Sequence, residues 1–92
     1  MEISMRLIED HMLRNVNGRV VLMPISDRET NFNGMIVLNH TGEVVCRMLE
    51  QDTDRDSLME GLAQEYGMES EQVEADVDAF LSELDSVHML LE

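Results

Sequence analysis

Residues 12–25 read Met12-Leu13-Arg14-Asn15-Val16-Asn17-Gly18-Arg19-Val20-Val21-Leu22-Met23-Pro24-Ile25. Two apolar-rich runs, Met12 to Val16 and Arg19 to Ile25, flank the pair Asn17-Gly18. Both members of that pair tolerate positive φ, which a type I′ turn requires at its two central positions, so the segment predicts a β-hairpin. Pro24 has no N–H to donate, so the second strand should end there or lie at an edge. A polar stretch, Ser26 to Asn33, follows and closes on Asn33-Gly34. Met35-Ile36-Val37-Leu38 is then a short, continuous apolar strand.

Beyond Asn39 the apolar period changes from that of strands to that of helices. Asn39 is placed to cap a first helix reaching about Glu50, with Val44, Val45, Met48 and Leu49 on one face. Asp52-Thr53-Asp54 interrupts the pattern. Thr53 is the expected cap of a second helix, with Asp56 three residues on as an imperfect capping box. Leu58, Leu62 and Tyr66 line its apolar side, Met59 and Ala63 adjoin, and Gly67 is placed to end it in the left-handed conformation. Ser70 is the expected cap of a third helix whose stripe runs Val73, Val77, Phe80, Leu81 and Leu84 and which should fray near Ser86. The tail Met89-Leu90-Leu91 then packs on the core or pairs briefly with a strand. Three antiparallel strands followed by three helices, with Gly67 in a short turn between the last two, predict an α+β winged helix-turn-helix.

Ninety-two residues are one domain, spanning 1–92, with enough chain for one modest core. Forty-three per cent apolar residues suffice for folding. No apolar run approaches the roughly 18 residues that cross a membrane. Met1 to Asp10 lacks the basic-then-apolar order of a signal peptide, and Cys46 is the single cysteine, so a reducing cytoplasm is the expected compartment. The net charge is −14 with no lysine. Residues 1–53 hold eight acids against five arginines, a net of −3, while residues 54–92 hold twelve acids against Arg55 alone, a net of −11. Such a surface stays dispersed by repulsion and disfavours nucleic acid and anionic membranes as partners.

Catalytic chemistry finds little footing. His11, His40 and His88 lie in three separate segments, none at metal-ligand spacing, and Cys46 has no second cysteine beside it. Cys46 falls against the apolar face of the first helix and reads as a small core residue. No serine lies in a nucleophile elbow and no glycine-rich loop precedes a helix. No enzyme, cofactor or metal site is expected. A helix-turn-helix also raises DNA binding, but the would-be recognition helix carries Glu71, Glu74, Asp76, Asp78, Glu83 and Asp85 with no Lys or Arg between Ser70 and Ser86. Peptide binding fits better. An edge strand at Met35 to Leu38 has free backbone groups for an added strand, the third helix supplies a second wall, and nine methionines favour adaptable apolar contacts. A degenerate winged-helix regulator and a structural subunit of a larger enzyme complex are the alternatives.

The segment Asn31-Phe32-Asn33-Gly34-Met35-Ile36-Val37-Leu38-Asn39-His40-Thr41-Gly42 resembles the strand-to-helix signature of the pyrroloquinoline quinone biosynthesis protein D family. The run Val73-x-x-Asp76-Val77-x-x-Phe80-Leu81-x-x-Leu84, followed by Leu90-Leu91, is similar to that family's C-terminal pattern. The order of elements agrees from about Met5 onward. The resemblance implies a peptide recognition element. Such a domain binds the leader segment of a ribosomally made precursor peptide and presents it to a modifying enzyme, often a radical S-adenosylmethionine enzyme. It places Met35, Ile36, Val37 and Leu38 at the pairing edge, and Val73, Val77 and Phe80 near the groove wall, with some of these three in the core instead. Cys46 stands where relatives often carry a bulky aromatic, and His88 where a glycine is common. The family reaches beyond quinone biosynthesis, so the pathway stays open.

Overall fold

The computed structural model describes residues 4–25 and 35–92. The expected hairpin is present. β2 (His11–Val16) and β3 (Arg19–Pro24) pair antiparallel, with Val16 opposite Arg19 and His11 opposite Pro24. Asn17 and Gly18 both take positive φ, 54° and 82°, as a type I′ turn requires. The expected Ser26 to Asn33 stretch and the Asn33-Gly34 turn lie outside the described residues. β4 (Ile36–Leu38) joins the other side of β3, with Val20 opposite Leu38, Val21 opposite Val37 and Leu22 opposite Ile36. The sheet order is β2-β3-β4, which leaves β4 at an edge among the described residues.

Three helices follow. α1 (His40–Met48) is capped by Asn39, whose Oδ1 accepts from the Gly42 N–H at 2.8 Å. α2 (Arg55–Tyr66) is capped by Asp54, whose Oδ1 accepts from the Ser57 N–H at 2.8 Å. The expected cap, Thr53, is otherwise engaged: its backbone exchanges hydrogen bonds of 2.7 and 2.9 Å with Met5, which holds it in a bridge one residue before the actual cap. Gly67 ends α2 at φ 63° and ψ 39°, and Met68 donates back to the Ala63 carbonyl at 2.9 Å, as in a Schellman motif. α3 (Ser70–Ser86) begins at its expected cap position, so the cap falls one residue earlier. Glu69 is the cap, and its N–H donates to Gln72 Oε1 at 2.9 Å; a capping box rewards Glu-x-x-Gln here above a lone serine. α3 ends at Ser86. His88 then takes φ 61° and Met89 donates to the Leu84 carbonyl at 3.0 Å. A glycine would adopt that left-handed conformation at lower cost.

The two ends of the described chain close on each other. β1 (Arg6–Leu7), which the sequence reading does not anticipate, pairs antiparallel with β5 (Leu90–Leu91). Leu7 also donates to the Leu49 carbonyl at 2.9 Å, and Ile8 to the Met89 carbonyl at 3.0 Å. The segment is thereby threaded between the end of α1 and the tail. One core joins Leu7, Leu22 and Leu38 to Val45, Cys46, Leu49, Leu58, Leu62, Val73, Val77, Leu84 and Met89. Tyr66 departs from the expected apolar side of α2. It lies at the surface, its hydroxyl 2.8 Å from Thr41 Oγ1. No helix among the described residues is long and apolar enough to cross a membrane.

The clasp at the ends makes a sharp contrast between neighbours. Leu7 is 2% exposed in the core, whereas the Arg6 side chain is 42% exposed and pairs at the surface with Glu9 and Asp52. Leu7→Ala is expected to lower unfolding free energy by about 2–5 kcal/mol, and Arg6→Ala by under about 0.5 kcal/mol, in urea titrations.

Candidate functional site

The edge strand β4 leads through Asn39 into α1, whose first turn packs beside Phe80 of α3. Strand alternation divides the side chains of β4 and its flank. Leu38 is buried and Ile36 half-buried against the core, while Met35 and Val37 are 54% and 52% exposed. Only β3 pairs with β4 among the described residues, so one row of its backbone N–H and C=O groups has no strand partner there.

Along α3 the apolar stripe splits. Val73 and Val77 are 1% and 0% exposed and belong to the core. They leave no surface for a ligand to touch, so of the three wall residues expected from sequence only Phe80 remains available. Phe80 is half-buried and packs against the core edge. Its ring depends on Gly42. A Cβ at Gly42 would stand 3.0 Å from Phe80 Cε1 and 3.3 Å from Leu38 Cδ2. The bare backbone at the first turn of α1 therefore lets the ring lie between helix and strand.

Beside that ring is an open cavity of about 350 Å³ lined by Asn39, Thr41, Asp76, Ala79, Phe80 and Glu83. Asp76, Phe80 and Glu83, at steps of four and three, share one face of α3. The sequence reading did not single out Asp76, Ala79, Glu83, Asn39 or Thr41 as site residues. The signal available was the i, i+4, i+7 pattern of acid, aromatic, acid, which a core stripe through the same helix masks.

The charges of α3 are partitioned. Arg55, at the start of α2, donates from Nε and Nη2 to both oxygens of Asp78 at 2.7 and 2.8 Å, and from Nη2 to Glu74 Oε2 at 2.6 Å. Those bonds hold the Asp78 carboxyl below the usual carboxylate range. The acids on the face toward α2 are thus partly offset by Arg55, the one arginine of residues 54–92.

No group of three or more His, Cys, Asp or Glu side chains that could hold a metal occurs among the described residues. His40 is exposed, with Nε2 2.8 Å from Glu65 Oε2. Cys46 is fully buried, and burial first, then the carboxylates of Glu50 and Glu83 against an opposing Arg47, push its thiol up to about 12. It occupies the core position expected of it.

The sequence model of the family described as Coenzyme PQQ synthesis protein D (PqqD) matches residues 18–90. Among solved structures, one described as TbiB1 in complex with the TbiA(beta) leader peptide superposes with a TM-score of 0.73 at 19% identity, covering 92% of this chain and 93% of that one. The likeness extends to three N-terminal antiparallel strands followed by three helices. No curated protein matches the chain.

The Cys46 environment has a direct consequence. A thiol held near 12 is almost wholly protonated at pH 8. Alkylation by iodoacetamide at pH 8 should therefore be at least tenfold slower in native protein than in urea-unfolded protein, followed by intact mass.

Proposed function

The chain belongs to the coenzyme PQQ synthesis protein D family, and from that premise we propose that it is a non-catalytic recognition element for the leader segment of a ribosomally made precursor peptide. The observation that carries the reading is the edge of β4, unpaired among the described residues, beside the cavity at Phe80. A flexible leader adds as a fourth strand on Met35 to Leu38, and its apolar side chains insert toward Phe80, with Val73 and Val77 supporting the wall from within. The solved relative, whose description places it with a leader peptide, supports the same reading.

Physical chemistry sets the strength. Each backbone hydrogen bond contributes about 0.5–1.5 kcal/mol net and fixes register. Buried leader side chains contribute roughly 25 cal/mol per Å². Ordering the leader costs on the order of 2–5 kcal/mol. The surplus is near −8 kcal/mol, which is micromolar binding or slightly tighter. The protein then delivers the bound leader to a modifying enzyme of the radical S-adenosylmethionine class, in quinone or other peptide biosynthesis. The single buried Cys46 suits work in a reducing cytoplasm. The acidic α3 disfavours the rival role of a DNA reader.

Two substitutions test the geometry by calorimetric titration with the leader of the cognate precursor. Val37→Pro removes the outward-facing backbone donor of the edge, because Ile36 and Leu38 spend theirs on Leu22 and Val20 of β3; Phe80→Ala removes the apolar wall. Each is expected to weaken binding at least tenfold while retaining the parent's circular dichroism spectrum. Parental affinity in both folded variants would place the peptide elsewhere.

A further inference from the structure

The cavity beside Phe80 also indicates which peptides it prefers, an inference that rests on the leader-binding reading. Of its four polar lining residues, two already have partners. Asn39 caps α1 through its Oδ1, and Thr41 Oγ1 lies 2.8 Å from the Tyr66 hydroxyl. The other two are Asp76 and Glu83, both exposed, on either side of Phe80 along α3. No cation lies within salt-bridge distance of either among the described residues. Arg55 is committed to Glu74 and Asp78 on another face of the same helix. The groove thus presents an apolar centre between two carboxylates that have no ion-pair partner among the described residues and stand about 10.5 Å apart along the helix axis.

We propose that this groove selects leader segments in which an apolar residue is flanked on both sides by Lys or Arg. The apolar side chain rests on Phe80 and Ala79, and the cations reach Asp76 and Glu83. Alternate residues of an added strand emerge on one face, roughly 6.6 Å apart. A basic residue two positions before and another two positions after the apolar one therefore share its face, and their long side chains reach the remaining distance. Their aliphatic stems cover the apolar floor while their charged ends stay near water. Gly42 sets the depth of the floor, because a larger residue there would push the Phe80 ring outward.

The test is selection of a random twelve-residue displayed peptide library on the full-length protein, followed by titration of the enriched peptides made synthetically. The inference expects enrichment of the pattern basic-x-apolar-x-basic. Binding of those peptides should weaken about three- to tenfold in the Asp76→Asn/Glu83→Gln double variant, and weaken with added salt. The Glu71→Gln/Asp85→Asn variant changes net charge equally on another face of α3 and should shift binding less than twofold. Enriched peptides that perturb the NMR amide signals of residues 35–38 but show no basic preference, or that weaken equally in both double variants, would overturn the inference and leave leader recognition standing. Enrichment of nothing, or of peptides that leave those amide signals unmoved, would overturn both.

Discussion

The site depends on the close approach of Phe80 to Gly42. With only hydrogen on the Gly42 Cα, the aromatic ring of α3 fits against the first turn of α1 and beside Leu38. That approach fixes the distance between the last helix and the edge strand. Asn39 supports it from one side by capping α1 immediately after β4, so strand and helix join with a single residue between them. Val73, Val77 and Leu84 support it from the other by anchoring α3 in the core. A groove with walls set by close packing is a preorganised one, and preorganisation is what a flexible peptide partner cannot supply for itself.

The electrostatic arrangement follows from a scarcity of cations. Residues 54–92 contain twelve acids and one arginine. Arg55 binds Glu74 and Asp78 and so ties the start of α2 to α3. The remaining acids of α3 face solvent or the groove. A helix-turn-helix that enters DNA presents the opposite charge in this place. The same backbone architecture is thus redirected by surface chemistry, which shows why fold by itself does not assign function.

Most of the fold was legible because it rests on local chemistry. Asn17-Gly18, Asn39 and Gly67 each perform the task their residue type suggests. The caps of α2 and α3 each shifted by a residue for identifiable reasons. Thr53 is drawn into a bridge with Met5, a contact 48 positions away in sequence that no local pattern reveals, and Glu69 with Gln72 out-competes Ser70. β1 was invisible for a similar reason: two residues gain strand geometry only from β5 at the opposite end of the chain. At the site, the edge strand was readable as an apolar run after a polar one. The allocation of α3 was not, because Val73, Val77 and Phe80 fall within one arc of the helix. How α1 and α2 pack on that arc decides which of them is covered, and Gly42 leaves the room in which the Phe80 ring lies.

The central claim is that a peptide completes the sheet at β4. Amide hydrogen exchange on the full chain, with and without saturating leader peptide, measures this most directly, because a new strand protects the backbone groups it pairs with. The account predicts slowed exchange within residues 35–39, together with protection of a short stretch of the leader, and little change along β2 at the opposite edge of the sheet. Protection confined to His11–Val16, or binding that leaves exchange at 35–39 unchanged, would contradict it.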